Sequence, residues 1–216
     1  MTAASKSERL LTGGCQYGCG TVGVFNSKDT TMATGSMLTG SFIRFIERQP
    51  LFFVATAAPD GRVNVSPKGL DSLRVLNPNR IVWLSLSGSG NETAAHLREA
   101  NRMTLMFCAF EGDALIVRTY GTARTLHPRD AGWDDLAGLF PDMAGSRQIF
   151  DLDIDLVQTS CGTGVPVMTC QGQRGPEELL PFYEEMGVDG VECYWARKNA
   201  VSIDGKDTGT VVPGSD

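Results

Sequence analysis

The chain has 216 residues, a formal net charge of −6, and 42% hydrophobic against 20% charged residues, enough apolar material for one domain with a real core. No apolar run is long enough to span a bilayer, and the charged N-terminus is not followed by the apolar stretch of a secretory leader. The acidic balance and the lack of a long basic patch set nucleic acid aside as a partner, and cysteines read as free thiols lead to the expectation of a cytoplasmic protein.

Residues 1–36 are rich in Gly, Ser and Thr and poor in large apolar side chains, the composition of a flexible extension. The folded body is expected to occupy residues 37–216. Phe42, Ile43, Phe45 and Ile46 form a helical apolar face that ends before Pro50. Leu51 to Ala57 has the length and density of a strand. Pro59-Asp60-Gly61 is a turn, and Arg62 to Ser66 alternates as the returning strand. Ile81 to Leu86 is the next strand, followed by the loop Ser87-Gly88-Ser89-Gly90-Asn91 and a short helix from about Glu92 to Ala100. Met103 to Phe110 and Ala114 to Leu126 are strands joined at Glu111-Gly112-Asp113, with Gly121 as a candidate bulge. A helix is expected from Pro128 to Phe140. The clearest strand, Gln148 to Val157, alternates Phe150, Leu152, Ile154 and Leu156 with Asp151, Asp153 and Asp155. Pro176 to Met186 reads as a last helix, and loops follow after Asn199. Five or six mostly antiparallel strands with short peripheral helices predict an α+β fold, mainly β, built as a small antiparallel split barrel.

Six cysteines include Cys15 and Cys19 but no C-x-x-C pair, and the histidines are only His96 and His127. Free thiols are expected rather than a zinc site, and no metal site is expected. The aspartate row lacks the glycine and spacing of a calcium loop and reads as a solvated strand face. Trp83, Trp133 and Trp195 read as packing residues, and His96 as an exposed residue on the polar side of its helix.

Two stretches could bind an anion. Ser66-Pro67-Lys68-Gly69 places a hydroxyl, a cation and a sharp turn at a strand end; a solvated surface turn is an equal reading. Ser85 to Thr93 brings Ser85, Ser87, Asn91 and Thr93 together with two glycines before a helix N-terminus; ordinary N-capping by Ser89 or Asn91 is the alternative. The lysine of a P-loop is absent.

The stretches Phe52 to Thr56, Asp60 to Gly69, Ser87 to Leu97, Met103 to Phe110 and Arg118 to Ala123 occur in an order that resembles the pyridoxamine 5′-phosphate oxidase superfamily of flavin-binding split barrels. The resemblance covers roughly residues 40–160. It implies a homodimer with FMN at the subunit interface, held by the segment from Arg62 to Thr93. The positions matching the family's phosphate site are Ser66, Lys68, Ser87, Asn91 and Thr93, with Ser85 in the same loop and Arg118 as a further cation. Asn91-Glu92 stands where other members carry two basic residues, which makes the site less cationic. The C-terminal Trp- and Arg-rich segment of the vitamin B6 enzymes is not matched by Trp195-Ala196-Arg197-Lys198-Asn199. The resemblance therefore points to a branch of the superfamily whose reactions are not assigned. That branch carries a stretch similar to Ser160-Cys161-Gly162-Thr163-Gly164-Val165-Pro166. Cys161 is read there as a buried residue in a tight turn, or as a thiol near the flavin or the dimer seam. The resemblance implies an FMN-dependent oxidoreductase whose catalytic side chains are not named. A flavin carrier or sensor without turnover, or a split barrel using deazaflavin F420 or haem, are the alternatives.

Overall fold

The computed structural model describes residues 33–211. Thr39 opens the first helix, its hydroxyl accepting from the Phe42 N–H at 3.3 Å, and α1 (Gly40–Glu47) buries Phe45 and Ile46 against the sheet. β2 (Phe52–Thr56) and β3 (Asn64–Lys68) form the expected hairpin, in register from Phe52 opposite Lys68 to Thr56 opposite Asn64. β4 (Leu73–Asn77) and β5 (Arg80–Leu86) form a second hairpin, and α2 (Glu92–Glu99) follows. β6 (Arg102–Cys108), β7 (Ile116–Leu126), the short α3 (Trp133–Ala137) and β8 (Ser146–Ser160) complete the body. A π-helical turn (Gly175–Leu179) leads into α4 (Leu180–Lys198), which is kinked at Gly187.

The sheet is antiparallel and runs β3-β2-β6-β7-β8-β5-β4. The residual strand β1 (Thr34–Gly35) pairs with Val157 and Gln158 of β8, beyond the stretch that β5 occupies. These eight strands form the mainly β, split-barrel arrangement that the sequence predicts, and the sheet does not close. Thr34 and Gly35 fall within the stretch assigned to the extension yet join the sheet; residues 1–32, with Cys15 and Cys19, lie outside the described residues.

β5 and β8 hold the middle of the molecule because they bury both faces. On β5, Ile81 and Trp83 enter the larger core with Phe52, Leu105, Phe107 and Phe150, while Val82 and Leu84 enter a second core with Leu126, Leu136, Phe140 and Ile149. Gly121 marks the expected bulge: the β7–β8 register slips between Tyr120 and Gly121, and a Cβ there would sit 1.8 Å from the Asp153 carbonyl oxygen.

Five sequence expectations are corrected. β4 has no counterpart among the predicted strands, because Leu73 to Asn77 is half-buried, with two exposed residues at its end and no clean alternation. α3 is shorter than Pro128 to Phe140, and α4 runs twelve residues past Met186 to Lys198. His96 is 1% exposed, because α2 is covered on both sides, and its Nδ1 lies 3.0 Å from the Thr56 hydroxyl. Asp151 is 5% exposed and is clasped by Arg80 and Arg124, so only Asp153 and Asp155 belong to a solvated face.

Candidate functional site

β3 forms one wall of a cleft of about 1130 Å³, and the loop from Ser87 to Gly90 before α2 forms the other. Alternation along β3 half-buries Asn64, Ser66 and Lys68 and leaves Val65 and Pro67 more exposed at the cleft's rim. Pro67 is tolerated because β3 is an edge strand and needs no ladder donor on its open side. The chain then turns sharply at Gly69-Leu70. Leu70 has φ 62°, the only left-handed non-glycine residue among those described. Gln173 holds this lip in place, its amide donating to the Pro50 carbonyl at 2.9 Å and its carbonyl accepting from the Leu70 N–H at 3.4 Å.

Charge at the cleft floor is concentrated on Lys68 and Arg147. The Lys68 amine makes no hydrogen bond or ion pair among the described residues, and it stands 5.7 Å from the centroid of the Trp83 ring. Burial, with the Arg147 guanidinium adding repulsion, pushes its pKa down to about 8 despite the pull of Glu92. Arg147 is 3% exposed. Its terminal nitrogens donate to the Gly90 carbonyl at 3.1 Å and the Ser85 hydroxyl at 3.4 Å, and its Nε has no partner. Burial lowers its pKa to about 10, with Tyr183, Glu92 and Tyr194 acting in the opposite direction.

The sequence-predicted site residues divide into three groups. Ser66 and Lys68 face the cleft; the Ser66 hydroxyl donates to Asn64 at 2.8 Å. Ser85, Ser87, Asn91 and Thr93 are gathered close by, but each is buried and occupied within the protein. Ser87 donates to the Gly145 carbonyl and accepts from the Trp195 indole at 2.6 Å. Asn91 donates to Thr210 at 2.6 Å and accepts from Gln148 at 2.6 Å, and makes no side-chain cap to α2. Thr93 accepts from Asn64 at 3.2 Å. These side chains therefore build the wall rather than present free donors. Arg118 is not brought into the cleft: it pairs across the sheet with Met106, outside the row containing Val117 and Phe107, and donates to Ser160 at 2.7 Å. Arg147 takes its place as the second cation. The alternation in the sequence marks this strand only from Gln148, one residue too late to include it.

A strap from Asn199 to Thr210 covers one side of the cleft. Asn199 is fully buried and donates to the Gly88 carbonyl at 2.8 Å, while Thr208 and Thr210 join the Asn91–Gln148 network at the other end. Between these anchors the strap is held by charge: Asp204 pairs with Arg62, Lys206 with Asp60 and Glu99, and Asp207 with Arg98. Val201 and Ile203 add apolar surface at the mouth.

Cys161 is exposed rather than buried and does not line the cleft. Its sulfur lies 3.4 Å from the Thr163 hydroxyl, a contact that lowers the thiol pKa. His127 is buried with Nδ1 3.4 Å from Asp130, and neither histidine lines the cleft. Among the described residues no helix is long and apolar enough to cross a membrane.

A family model described as pyridoxamine 5′-phosphate oxidase matches residues 38–161, more than half of the chain. The pyridoxamine 5′-phosphate oxidase family protein ustO of Aspergillus flavus is 45% identical over 142 residues, which cover 63% of this chain and 57% of that protein. The match thus spans a little over half the length of that relative. Among solved structures, HupZ from Group A Streptococcus is 19% identical, with 56% of this chain and 92% of that chain covered at a TM-score of 0.44. A FAD-binding protein from Mesorhizobium loti is 14% identical, with 60% and 96% covered at a TM-score of 0.43. By the extent of the family match, which takes in the hairpin carrying Lys68, the loop before α2 and the strand carrying Arg147, this chain belongs to the pyridoxamine 5′-phosphate oxidase family.

Proposed function

We propose that the cleft binds FMN and that the chain is a flavin-dependent oxidoreductase acting on a small molecule. The observation that carries this reading is the free Lys68 amine on the cleft floor, backed by the buried charge of Arg147 and with no acid bonded to either. Two desolvated cations side by side are unfavourable until an anion joins them. A phosphoryl group supplies that anion, and the open space beside Gly88 leaves room for it, while the Glu92 carboxylate covers Gly90. The cleft volume lies at the upper end of what small-molecule sites need, about 300–1,000 Å³. Its mixed wall includes Leu51, Leu70, Leu86 and Leu179, which are able to cover a flat ring system.

In this reading Lys68 holds the phosphate and the strap excludes water from the cleft. The flavin, when bound, supplies hydride or electron transfer. Lys68, brought to about 8, is committed to the phosphate in this reading, and the redox chemistry is left to the cofactor. Family membership supports the flavin class, and the placement of His96 and His127 away from the cleft argues against a haem ligand. Assembly as a homodimer is part of the proposal. It is supported by the open edge of β3, where Val63 and Val65 are 71% and 62% exposed beside the cleft.

The test is direct. The purified protein is denatured, the released cofactor identified by mass spectrometry, and the stripped protein titrated with FMN. Stoichiometric flavin binding supports the reading. Addition of NADH or NADPH then separates an enzyme, which bleaches and recovers in air, from a carrier, which does not. A released deazaflavin reassigns the cofactor to F420, and a protein that ignores added FMN removes the proposal.

A further inference from the structure

Behind the cleft floor lies a second chamber of about 20 Å³, room for one water-sized atom. Asn64, Ser66, Lys68 and Arg147 border both spaces, and Trp83 and Gln148 close the chamber from behind. Donors and acceptors around it do not balance. Most acceptors are already taken: Asn64 Oδ1 accepts from Ser66, Gln148 Oε1 from Asn91 and Thr210, and Thr93 Oγ1 from Asn64, which leaves only the Ser66 hydroxyl oxygen and Glu92 Oε2 without a donor among the described residues. Three donors are left over. Trp83 Nε1, on a side chain 0% exposed, and Arg147 Nε, on one 3% exposed, have no partner, and the Lys68 amine makes no hydrogen bond or ion pair among the described residues.

Buried donors of this kind call for an acceptor. A water molecule accepts too, but brings two protons of its own. Glu92 is the one acid in the wall, and one of its oxygens already accepts from the Ile203 N–H. The unpartnered N–H groups still outnumber these acceptors, so an atom that only accepts meets several of them at once, and a single negative charge answers the one positive charge left over when Glu92 is set against Lys68 and Arg147. We propose that this chamber is a receptor for a single anionic acceptor atom, either a free halide ion or one oxygen of an anionic group on the ligand in the cleft. The second source rests on the flavin reading; the first does not.

Crystals of the full chain soaked in bromide, with and without FMN, test this by anomalous scattering. Bromide within hydrogen-bond reach of Trp83 Nε1 and Arg147 Nε in both crystals identifies a free-halide site. Bromide that enters the flavin-free crystal and is expelled by FMN identifies a ligand oxygen. Crystals that refuse FMN leave the bromide result standing, so failure of the flavin reading is seen separately. In solution, replacing gluconate by bromide at constant ionic strength raises the melting temperature of the wild type in a saturable manner. Trp83→Phe raises the half-saturating bromide concentration roughly tenfold, the loss of one hydrogen bond to an ion. Because the Trp83 ring stacks on Phe150 at 4.5 Å, Arg147→Lys serves as a second variant with the same expected direction. A water molecule in the chamber in every crystal, with a bromide response that does not saturate and is unchanged in both variants, overturns the proposal.

Discussion

Raising the pH from 7 to 9 isolates the charge on Lys68. Burial and the repulsion of Arg147 bring the amine to about 8 in the unliganded protein. A phosphate dianion beside it favours the protonated form, so the loaded protein keeps that proton to higher pH. Binding therefore takes up a proton above pH 8, and affinity falls as pH rises. The protonated fraction drops from roughly nine-tenths at pH 7 to roughly one-tenth at pH 9, which weakens FMN binding about tenfold, or ~1.4 kcal/mol. The phosphate ionises fully below this range, with a second pKa of about 6, and adds no slope of its own. Flavin fluorescence titrations of the stripped protein at fixed ionic strength provide the measurement. Lys68→Arg flattens the profile, because a guanidinium stays charged throughout. Lys68→Met also flattens it and weakens binding at pH 7 by about 1.5–3 kcal/mol, the range for a hydrogen bond to a charged group. A wild-type affinity that does not change between pH 7 and 9, or Lys68→Met binding as tightly as wild type, refutes the placement of the phosphate on this amine.

Other perturbations separate walls from ligands. Asn91→Leu takes away the acceptor of the buried Gln148 amide and one donor to Thr210, so urea unfolding should show a loss of about 1–3 kcal/mol, with FMN affinity changing less than in Lys68→Met. Gly121→Ala drives a methyl group into the Asp153 carbonyl oxygen and should cost about 1–3 kcal/mol or more, read as a fall in melting temperature. Iodoacetamide should label exposed Cys161 before Cys108, whose thiol is pushed up by burial; peptide mass spectrometry with equal labelling rates would contradict this order. The folded Lys68 amine lies below its ordinary value of 10.5, so the unfolded chain binds more protons between pH 8 and 10.5. Over that window the stability of the wild type should rise relative to Lys68→Met in urea melts.

How much of this is legible in the sequence depends on the range of the interactions. The β2–β3 hairpin can be read because its turn and its alternation are local, and both Ser66 and Lys68 follow from it. β4 cannot, because Leu73 to Asn77 draws its identity from pairing with β5 rather than from its own pattern. Asn91 reads as a ligand donor because its partners, Gln148 and Thr210, stand 57 and 119 positions away. The polar face that His96 occupies in the sequence exists only for an isolated helix; in the fold Thr56 reaches it from β2. Arg147 gives one weak signal, a cation directly before the strongest apolar alternation in the chain, and its role emerges only once β8 is seen to begin at Ser146.

The strap has a kinetic consequence. Its anchors join residues more than a hundred positions apart, as in Asn91 to Thr210 and Gly88 to Asn199. Closing such long loops is entropically slow and is rewarded only after the surfaces they join exist. Hairpins such as β2–β3 and β4–β5 pair near neighbours and should form first. During refolding, far-ultraviolet circular dichroism should thus recover before the cleft becomes able to capture its ligand, and ligand capture should report the last step of assembly.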